Sequence, residues 1–265
     1  MLISVDAKAL EWRVKVFLSQ DKVALAEILA GTDIHSESHK IFNLPDRTTA
    51  KNCNFRMIFA DSYSDRGFSG PAYAYANDPK FTHVSTSQAF WTKVVEKFFT
   101  KYDGMYRHGW DLINKVYKDG EITNPTGRTY KFYHVINKRG EPELPRTLIL
   151  NYPVQGLAAE LMALARVVLR KRLVTRGYDL DSTVLLMNTV HDDIELDLMN
   201  DSKLIHDVCV LLEDVFSDLP KLFEQYFKVS FNVPLNGEVS YGHTLGNMVG
   251  FKRNSTIIID NSVNP

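Results

Sequence analysis

Acidic residues stand at the ends of two apolar runs of the sequence. Asp6 follows the run Leu2–Val5, and Asp192–Asp193 separates the runs 184–190 and 194–198. An aspartate that ends a buried strand needs a compensating role, because an unpaired charge is costly to bury. If the two strands lie side by side, the carboxylates can hold two hard cations about 3.5–4 Å apart, which bridge an attacking hydroxyl and a leaving phosphate. Taken singly, each acidic site also fits an ordinary solvated turn.

A second pattern places two cations and two aromatic rings at four-residue intervals: Arg47, Lys51, Phe55 and Phe59. In a helix each such step advances by only about 40°, so these side chains form one slowly drifting stripe. The residues on the other side, which can face a core, are Ala50, Cys53 and Met57. The stripe fits a nucleoside triphosphate, with cations on the phosphates and rings against sugar and base. An amphipathic helix with snorkelling cations is the alternative.

Periodicity and turn residues predict the elements that must position these side chains. Helices are predicted over 9–19, 21–30, 33–42 with Asp33 as N-cap, 45–60, twice across 85–118, 154–176 after a cap at 151–153, and 201–228. Extended segments are predicted over 2–5, 184–190, 194–198, 229–241 and on both sides of a turn at 124–127. The glycines and prolines of 61–80 predict a loop-rich stretch, and the polar end after 253 is predicted to fray.

Composition limits the class of protein. The 265 residues, 45% of them hydrophobic, support one large domain or two modest ones. The net charge of -1 gives no overall basic footprint, which counts mildly against nucleic acid, although basic clusters occur at Arg47 with Lys51, at 138–139 and at 170–172. Cys53 and Cys209 make no disulfide framework and indicate a reduced, cytosolic setting. The sequence pattern suggests neither a signal peptide nor a long apolar span.

Six segments together resemble the A-family DNA polymerases, which include the bacterial repair polymerase and many phage replicases. Asp6–Arg13 resembles the motif D-Y-S-Q-I-E-L-R, and Asp33–His35 resembles D-I-H. Residues 47–59 resemble R-x-x-x-K-x-x-N-F-G-x-x-Y-G, and 126–128 resemble the turn between fingers and palm. Residues 151–159 resemble N-x-P-x-Q-G-T-A-A, and 190–193 resemble V-H-D-E. Each match is weak alone, but their shared order along nearly the whole chain makes coincidence improbable.

The resemblance implies a catalytic site for phosphoryl transfer. Asp6 and Asp192 would hold two Mg²⁺ ions, with Asp193 a supporting residue or occasional ligand. Arg47, Lys51 and His35 would bind the triphosphate of a deoxynucleotide, and Lys51 is also a candidate proton donor to the departing pyrophosphate.

The resemblance also implies how sugar, base and DNA are recognised. Glu11 would exclude a ribose 2′-hydroxyl, with Phe55 beneath the sugar, and Phe59 would stack near the templating base. Four residues would contact the primer-template, from the minor groove: Arg13, Asn151, Gln155 and His191. Donors there can test the shape of a base pair without reading its sequence, because all base pairs share minor-groove acceptors.

The chain departs from the family pattern at several positions. Arg56 replaces the glycine after the fingers phenylalanine, and Phe59-Ala60 replaces Tyr-Gly. Phe55, where some members have tyrosine, predicts discrimination against dideoxynucleotides. Thr147 stands where the family often has an arginine, with Arg146 next to it, so one DNA contact is open.

The implied fold is α+β: a right-hand palm with an antiparallel sheet and largely helical fingers, without a thumb. The predicted domains are palm (1–30), fingers (31–145), palm (146–253) and tail (254–265). A split polymerase gene, an expression fragment and a degenerate remnant would each account for the missing upstream parts. The complete motif set favours the first two and implies a separate N-terminal half with the thumb and perhaps an exonuclease.

The predicted function is template-directed addition of deoxynucleotides to a primer 3′ end by two-metal phosphoryl transfer, with the fingers helix closing over a paired nucleotide. It is expected in bacterial cytoplasm, or in host cytoplasm if phage-encoded, without a membrane partner. A metal-dependent nuclease would not need the stripe from Arg47 to Phe59. A single-subunit RNA polymerase is opposed by Glu11. The remaining alternative is a non-catalytic DNA-binding or assembly subunit that requires a partner chain.

Overall fold

The computed structural model describes residues 1–59, 63, 67–137 and 140–257. Predictions that concern Ala60, the pair 138–139 and the tail from residue 258 lie outside the described residues. The helices are α1 Leu10–Ser19, α2 Lys22–Leu29, α3 Ile34–Ile41, α4 Arg47–Phe59, α5 Ser69–Ala76, α6 Gln88–Lys101, α7 Asp103–Asp119, α8 Arg146–Thr175 and α9 Ser202–Phe227. The strands are β1 Leu2–Ala7, β2 Glu121–Thr123, β3 Thr129–Lys131, β4 Val135–Ile136, β5 Pro142–Glu143, β6 Val184–Val190, β7 Asp193–Leu198, β8 Gly237–Thr244 and β9 Asn247–Gly250.

The chain divides into two compact units. One comprises Met1–Glu11 with the residues from Leu157 onward, and the other comprises Trp12–Gly156. The division therefore falls inside α1 and inside α8. The palm and fingers bounds given above remain predictions.

The first unit is built on an antiparallel five-stranded sheet in the order β6-β7-β1-β8-β9. The strand that carries Asp6 is thus central, with β7 on one side and β8 on the other. Its alternating side chains Ile3 and Val5 are fully buried, as expected for a strand with one face against a core. Helix α9 packs on β1 and β8 and starts at the N-cap Asp201, whose carboxylate accepts from the Leu204 N–H.

The second unit is mainly helical, with an aromatic core. Tyr75, Trp91, Phe98 and Tyr102 are almost fully buried, and the rings of Tyr75 and Trp91 stack with centroids 4.8 Å apart. The short hairpin β2–β3 closes at the predicted turn, where Gly127 has φ +90° and donates its N–H to the Asn124 carbonyl. A β-carbon is strained at that φ, so glycine suits the position.

Helix α8 combines length with an apolar composition. Among the described helices it is the one long and apolar enough to cross a membrane, and 56% of its most apolar window is buried inside the protein. Leu157, Leu161 and Leu169 on this helix are fully buried. A core helix passes the same test, and the burial assigns α8 to the core.

Most predicted elements are confirmed, and three predictions are wrong in part. Within the stretch predicted as loop, Ser69–Ala76 forms α5, because Pro71 sits in its first turn, where its missing N–H costs nothing. Helix α8 begins at Arg146, so Asn151 lies inside it and does not cap it; the buried Ile149 and Leu150 extend the helix upstream. The last predicted extended segment becomes a strand only from Gly237.

Candidate functional site

The acidic hairpin is formed by β6 and β7, joined at His191–Asp192. His191 has φ +54°, in the left-handed region that residues other than glycine rarely adopt. Strained backbone of this kind clusters at functional sites, because the surrounding structure must hold it in place. His191 is exposed, and Asp192 and Asp193 are half-buried.

The pairing of β1 with β7 brings the predicted carboxylates to one end of the sheet. Asp6 is paired with Asp193, and the Ala7 N–H donates to the Asp192 carbonyl at 2.9 Å. The residue opposite Asp6 is therefore Asp193, with Asp192 one position further into the turn. The Ser4 hydroxyl donates to Asp193 Oδ1 at 2.5 Å, so the Asp193 carboxylate has a partner within the sheet.

Two residues near Asp6 were missed by the sequence analysis. Ser4 precedes Asp6 by two positions and therefore shares its face of β1, a signal that strand alternation could have given. Glu238 is the partner of Asp6 on β8 and forms an ion pair with Lys8 at 2.8 Å. Only the fold brings Glu238 to Asp6, because the two positions lie far apart in sequence.

The carboxylates at the hairpin suit a metal ion that is bound partly by the protein and partly by a substrate. Among the described residues there is no group of three or more His, Cys, Asp or Glu side chains that could hold a metal ion. Mg²⁺ is commonly bound by one or two carboxylates together with substrate phosphates and water, rather than by a cage of protein ligands. The carboxylates at the ends of β1 and β7 fit that mode.

Helix α4 presents the predicted stripe. Arg47 and Lys51 are exposed and Phe55 is half-buried, whereas the opposite side is fully buried at Ala50, Cys53 and Met57. The core-facing prediction for those three residues is confirmed. Phe59 is the last residue of α4, and the prediction for its side chain lies outside the described residues.

Asp33 connects the start of α3 to Arg47. Its Oδ1 accepts from the His35 N–H at 3.0 Å, as expected of an N-cap, and its Oδ2 accepts from Arg47 Nε at 2.7 Å. The Arg47 contact is the main reason that the pKa of Asp33 lies well below its usual value. The carboxylate is therefore ionised and fixes one side of the Arg47 guanidinium.

His35 lies in the same cluster and is nearly buried. Its ring is 5.9 Å from the Phe55 ring, and its Nδ1 is 3.2 Å from Asn54 Nδ2, which also donates to the Ser38 hydroxyl at 2.9 Å. Burial and the positive charges of Arg47 and Lys51 lower the pKa of His35 to about 4. The imidazole is thus neutral near pH 7 and can offer a hydrogen bond without adding charge.

The residues predicted to contact DNA differ in exposure. Gln155 is exposed one turn after Asn151 on α8, and Asn151 Oδ1 is buried without a hydrogen-bond partner among the described residues. Arg13 is only 9% exposed. Arg13, Asn151 and Gln155 belong to the second, mainly helical unit (the helical unit), whereas His191 belongs to the first unit, which holds the five-stranded sheet (the sheet unit).

The first unit thus holds an antiparallel sheet with an acidic hairpin beside its central strand, and the second unit holds a helix that bears cations and an aromatic ring. The family model for DNA polymerase family A matches residues 1–247. The chain belongs to this family, which confirms the resemblance found in the sequence.

Similar proteins agree with this assignment. DNA polymerase I of Lactococcus lactis subsp. cremoris is 26% identical over 257 residues, which are 92% of this chain and 26% of that protein. DNA polymerase I of Streptococcus pneumoniae is 26% identical over 259 residues, with the same coverage. The chain thus spans about a quarter of the length of these curated relatives.

A solved structure supports the fold. The POL domain of Pol1 from M. smegmatis, in complex with DNA primer-template and dNTP, matches with a TM-score of 0.69 at 20% identity. The match covers 92% of this chain and 39% of that chain. The α+β fold of palm and fingers is therefore confirmed.

Proposed function

We propose that this chain carries the catalytic portion of a DNA-directed DNA polymerase, which adds deoxynucleotides to a primer 3′ end on a DNA template. The observation that carries the proposal is the pairing of Asp6 with Asp193 and of Ala7 with Asp192 at the strained hairpin. The palm would comprise residues 1–30 and 146–253, and the fingers residues 31–145. Residues 254–265 would form a tail after the palm.

Asp6 and Asp192 would hold two Mg²⁺ ions in this proposal. The ions, when bound, would polarise the reacting phosphate and lower the pKa of the primer hydroxyl. Asp193 would keep the hairpin in register through Ser4 and would serve as an occasional ligand. The sheet would hold these carboxylates rigidly, because β1 is paired on both sides.

The nucleotide would be bound by α3 and α4. Arg47 and Lys51 would offset the charge of the triphosphate, and the neutral His35 would donate one hydrogen bond to it. Lys51 would also protonate the departing pyrophosphate. Phe55 would support the sugar and Phe59 would stack near the templating base, while Glu11 would exclude a 2′-hydroxyl.

Primer-template DNA would be the macromolecular substrate, contacted by Arg13, Asn151, Gln155 and His191. The M. smegmatis protein was solved with DNA primer-template and dNTP, which supports the same substrates here. Since the chain spans about a quarter of its relatives, we further propose a split polymerase or a fragment, whose N-terminal half supplies the thumb and perhaps an exonuclease. The cytoplasm is the proposed compartment.

Template-directed primer extension tests this function. Four primed templates that differ only in the next base are offered to the purified chain with Mg²⁺ and one deoxynucleotide at a time. Incorporation of only the complementary nucleotide on each template is expected, with little use of ribonucleotides, and Glu11→Ala is expected to relax the sugar preference.

Absence of incorporation on all four templates would count against catalysis by this chain alone. DNA binding without incorporation would favour the alternative, a non-catalytic subunit. Restoration of incorporation by an upstream gene product would then establish the split-polymerase arrangement.

A further inference from the structure

Arg56 occupies the position at which the family pattern has a glycine, directly after Phe55 on α4. Its guanidinium forms an ion pair with Asp78 and lies over the ring of Tyr75, 4.7 Å from the centroid, and of Phe81, 5.7 Å from the centroid. The Arg56 and Asp78 side chains are 19% and 26% exposed. A glycine has no side chain to make these contacts. The link from α4 to Asp78, Tyr75 and Phe81 through residue 56 therefore depends on the arginine.

The partners of Arg56 are themselves fixed. Tyr75 on α5 is 1% exposed, and its hydroxyl donates to the Cys53 carbonyl of α4 at 3.0 Å. Its ring stacks on Trp91 of α6, which is fully buried. Asp78 Oδ1 accepts from the Lys80 N–H at 2.9 Å, which holds the carboxylate in a turn. The side chains that Arg56 contacts are therefore held in place by α4, by α6 and by the turn at 78–80.

We propose that Arg56 is a positioning residue, which fixes the rotation of α4 about its own axis and joins α4, α5 and α6 into one moving body. Lys51 and Phe55 lie on the same helix, so their direction depends on that rotation. A cation that is partly desolvated against aromatic faces and paired with a carboxylate makes a stiff contact. Small misalignments of substrate-binding groups reduce productive binding markedly.

This inference rests on the proposed function for its kinetic consequence, but not for its structural one. Arg56→Met keeps the unbranched aliphatic part and the helix propensity of the side chain and removes the charged guanidinium. Asp78→Asn keeps the acceptor for Lys80 and removes the negative charge. Arg107→Met is the matched control, because it breaks an ion pair with Asp103 on α7 in which both side chains are exposed.

The kinetic test is single-turnover incorporation of a correct deoxynucleotide. Each of Arg56→Met and Asp78→Asn should weaken the apparent nucleotide affinity about fivefold and also lower the maximal rate, because Lys51 is proposed both to bind the triphosphate and to protonate the departing pyrophosphate. The double variant should equal Arg56→Met, because Arg56→Met already removes the ion pair that Asp78→Asn removes. The Arg107→Met control should match the wild type. Unchanged affinity in the variants, or effects that multiply, would overturn the proposal.

Hydrogen exchange of the nucleotide-free chain tests the structural part separately. Amides of α4 and α5 should share one opening free energy in the wild type, and α4 alone should exchange faster in Arg56→Met. Equal acceleration of both helices would indicate a general loss of stability and would also overturn the proposal. If the wild type shows this coupling but incorporates no nucleotide, the proposed function fails while the positioning role stands.

Discussion

At the scale of single residues, two buried ionisable groups carry an electrostatic cost in the helical unit. Lys15 on α1 is fully buried, and its ammonium has no hydrogen-bond partner among the described residues. Burial lowers the pKa of Lys15 to about 8. Burial and the nearby Lys15 charge lower the pKa of His108 to about 3. Such groups favour their neutral forms in the folded state, so they link stability to pH.

Lys15→Met is expected to stabilise the protein at pH 7. The folded pKa of about 8 lies below the ordinary value of 10.5, so the unfolded state binds more protons between these values. The cost of burying the charged Lys15 is therefore fully present below pH 8, and it decreases as the pH rises towards 10.5. Removal of the charge should raise the free energy of unfolding by roughly 2–3 kcal/mol at pH 7. Urea unfolding at pH 7 and pH 10 measures the change.

The gain should be smaller at pH 10 than at pH 7. An equal gain at both pH values would mean that packing of the methionine, not removal of the charge, causes the effect. Lys115→Met, at an exposed ion pair on α7, is the control and should change stability little at either pH.

His35 should make the protein sensitive to acid. Its folded pKa of about 4 lies below the ordinary 6.5, so the unfolded state binds the additional proton in that interval. Stability from this residue is present above pH 6.5 and is lost as the pH falls towards 4. We expect the free energy of unfolding to fall between pH 7.5 and pH 4.5 by about 1–2 kcal/mol less in His35→Gln than in the wild type. Thermal unfolding of both proteins between pH 4.5 and 7.5 measures it; parallel curves would contradict the expectation.

At the scale of elements, the N-terminal part of α8 is fitted to the β2–β3 hairpin. Asn124 is buried and donates through Nδ2 to the Pro153 carbonyl at 2.9 Å. The rings of Tyr130 and Phe132 lie about 6 Å from the Tyr152 ring. A β-carbon at Gly156 would lie 1.6 Å from the Tyr130 hydroxyl oxygen. The glycine is therefore needed for close packing and not for a special backbone angle.

Gly156→Ala is expected to destabilise the protein by about 1–3 kcal/mol, because overpacking forces Tyr130 out of its position. Removal of the hydroxyl in Gly156→Ala/Tyr130→Phe should recover part of the loss, since the nearest ring carbon would still lie 2.8 Å from the new β-carbon. Denaturant unfolding of the two single variants and the double variant gives the coupling energy. Strictly additive effects would show that the clash is not with Tyr130.

The same element shows how far sequence reasoning reaches. The motif around Asn151 and Gln155 was recognisable from residue types, but Asn-x-Pro reads locally as a cap, and only the burial of Ile149 and Leu150 shows that the helix starts earlier. The stripe on α4 and the acidic hairpin follow from periodicity. The contact of Arg56 with Asp78 and the pairing of Asp6 with Glu238 could not be predicted, because long-range pairing leaves no local signal.

At the scale of the whole molecule, two compact units carry different parts of the proposed chemistry. The sheet unit carries Asp6, Asp192 and Asp193, and the helical unit carries Arg47, Lys51 and His35. The chain nevertheless spans only 39% of the M. smegmatis POL domain chain. Under the proposed function, residues 1–265 tested alone are expected to retain duplex DNA weakly and to extend a primer distributively. Product length on a long primed template, at enzyme concentrations far below the template, measures this.

The most direct measurement of the central claim is the rate of single-nucleotide incorporation by the full chain in Mg²⁺, with three variants compared with the wild type. Asp6→Asn and Asp192→Asn should each lower the rate by about 10³-fold or more, as expected for groups that act on the reacting phosphate. Asp197→Asn is the control, on the same strand as Asp193 but paired with Leu2 at the opposite end of β1, and it should keep near-wild-type activity. Retention of activity in either of the first two variants, with their folded state verified, would contradict the account.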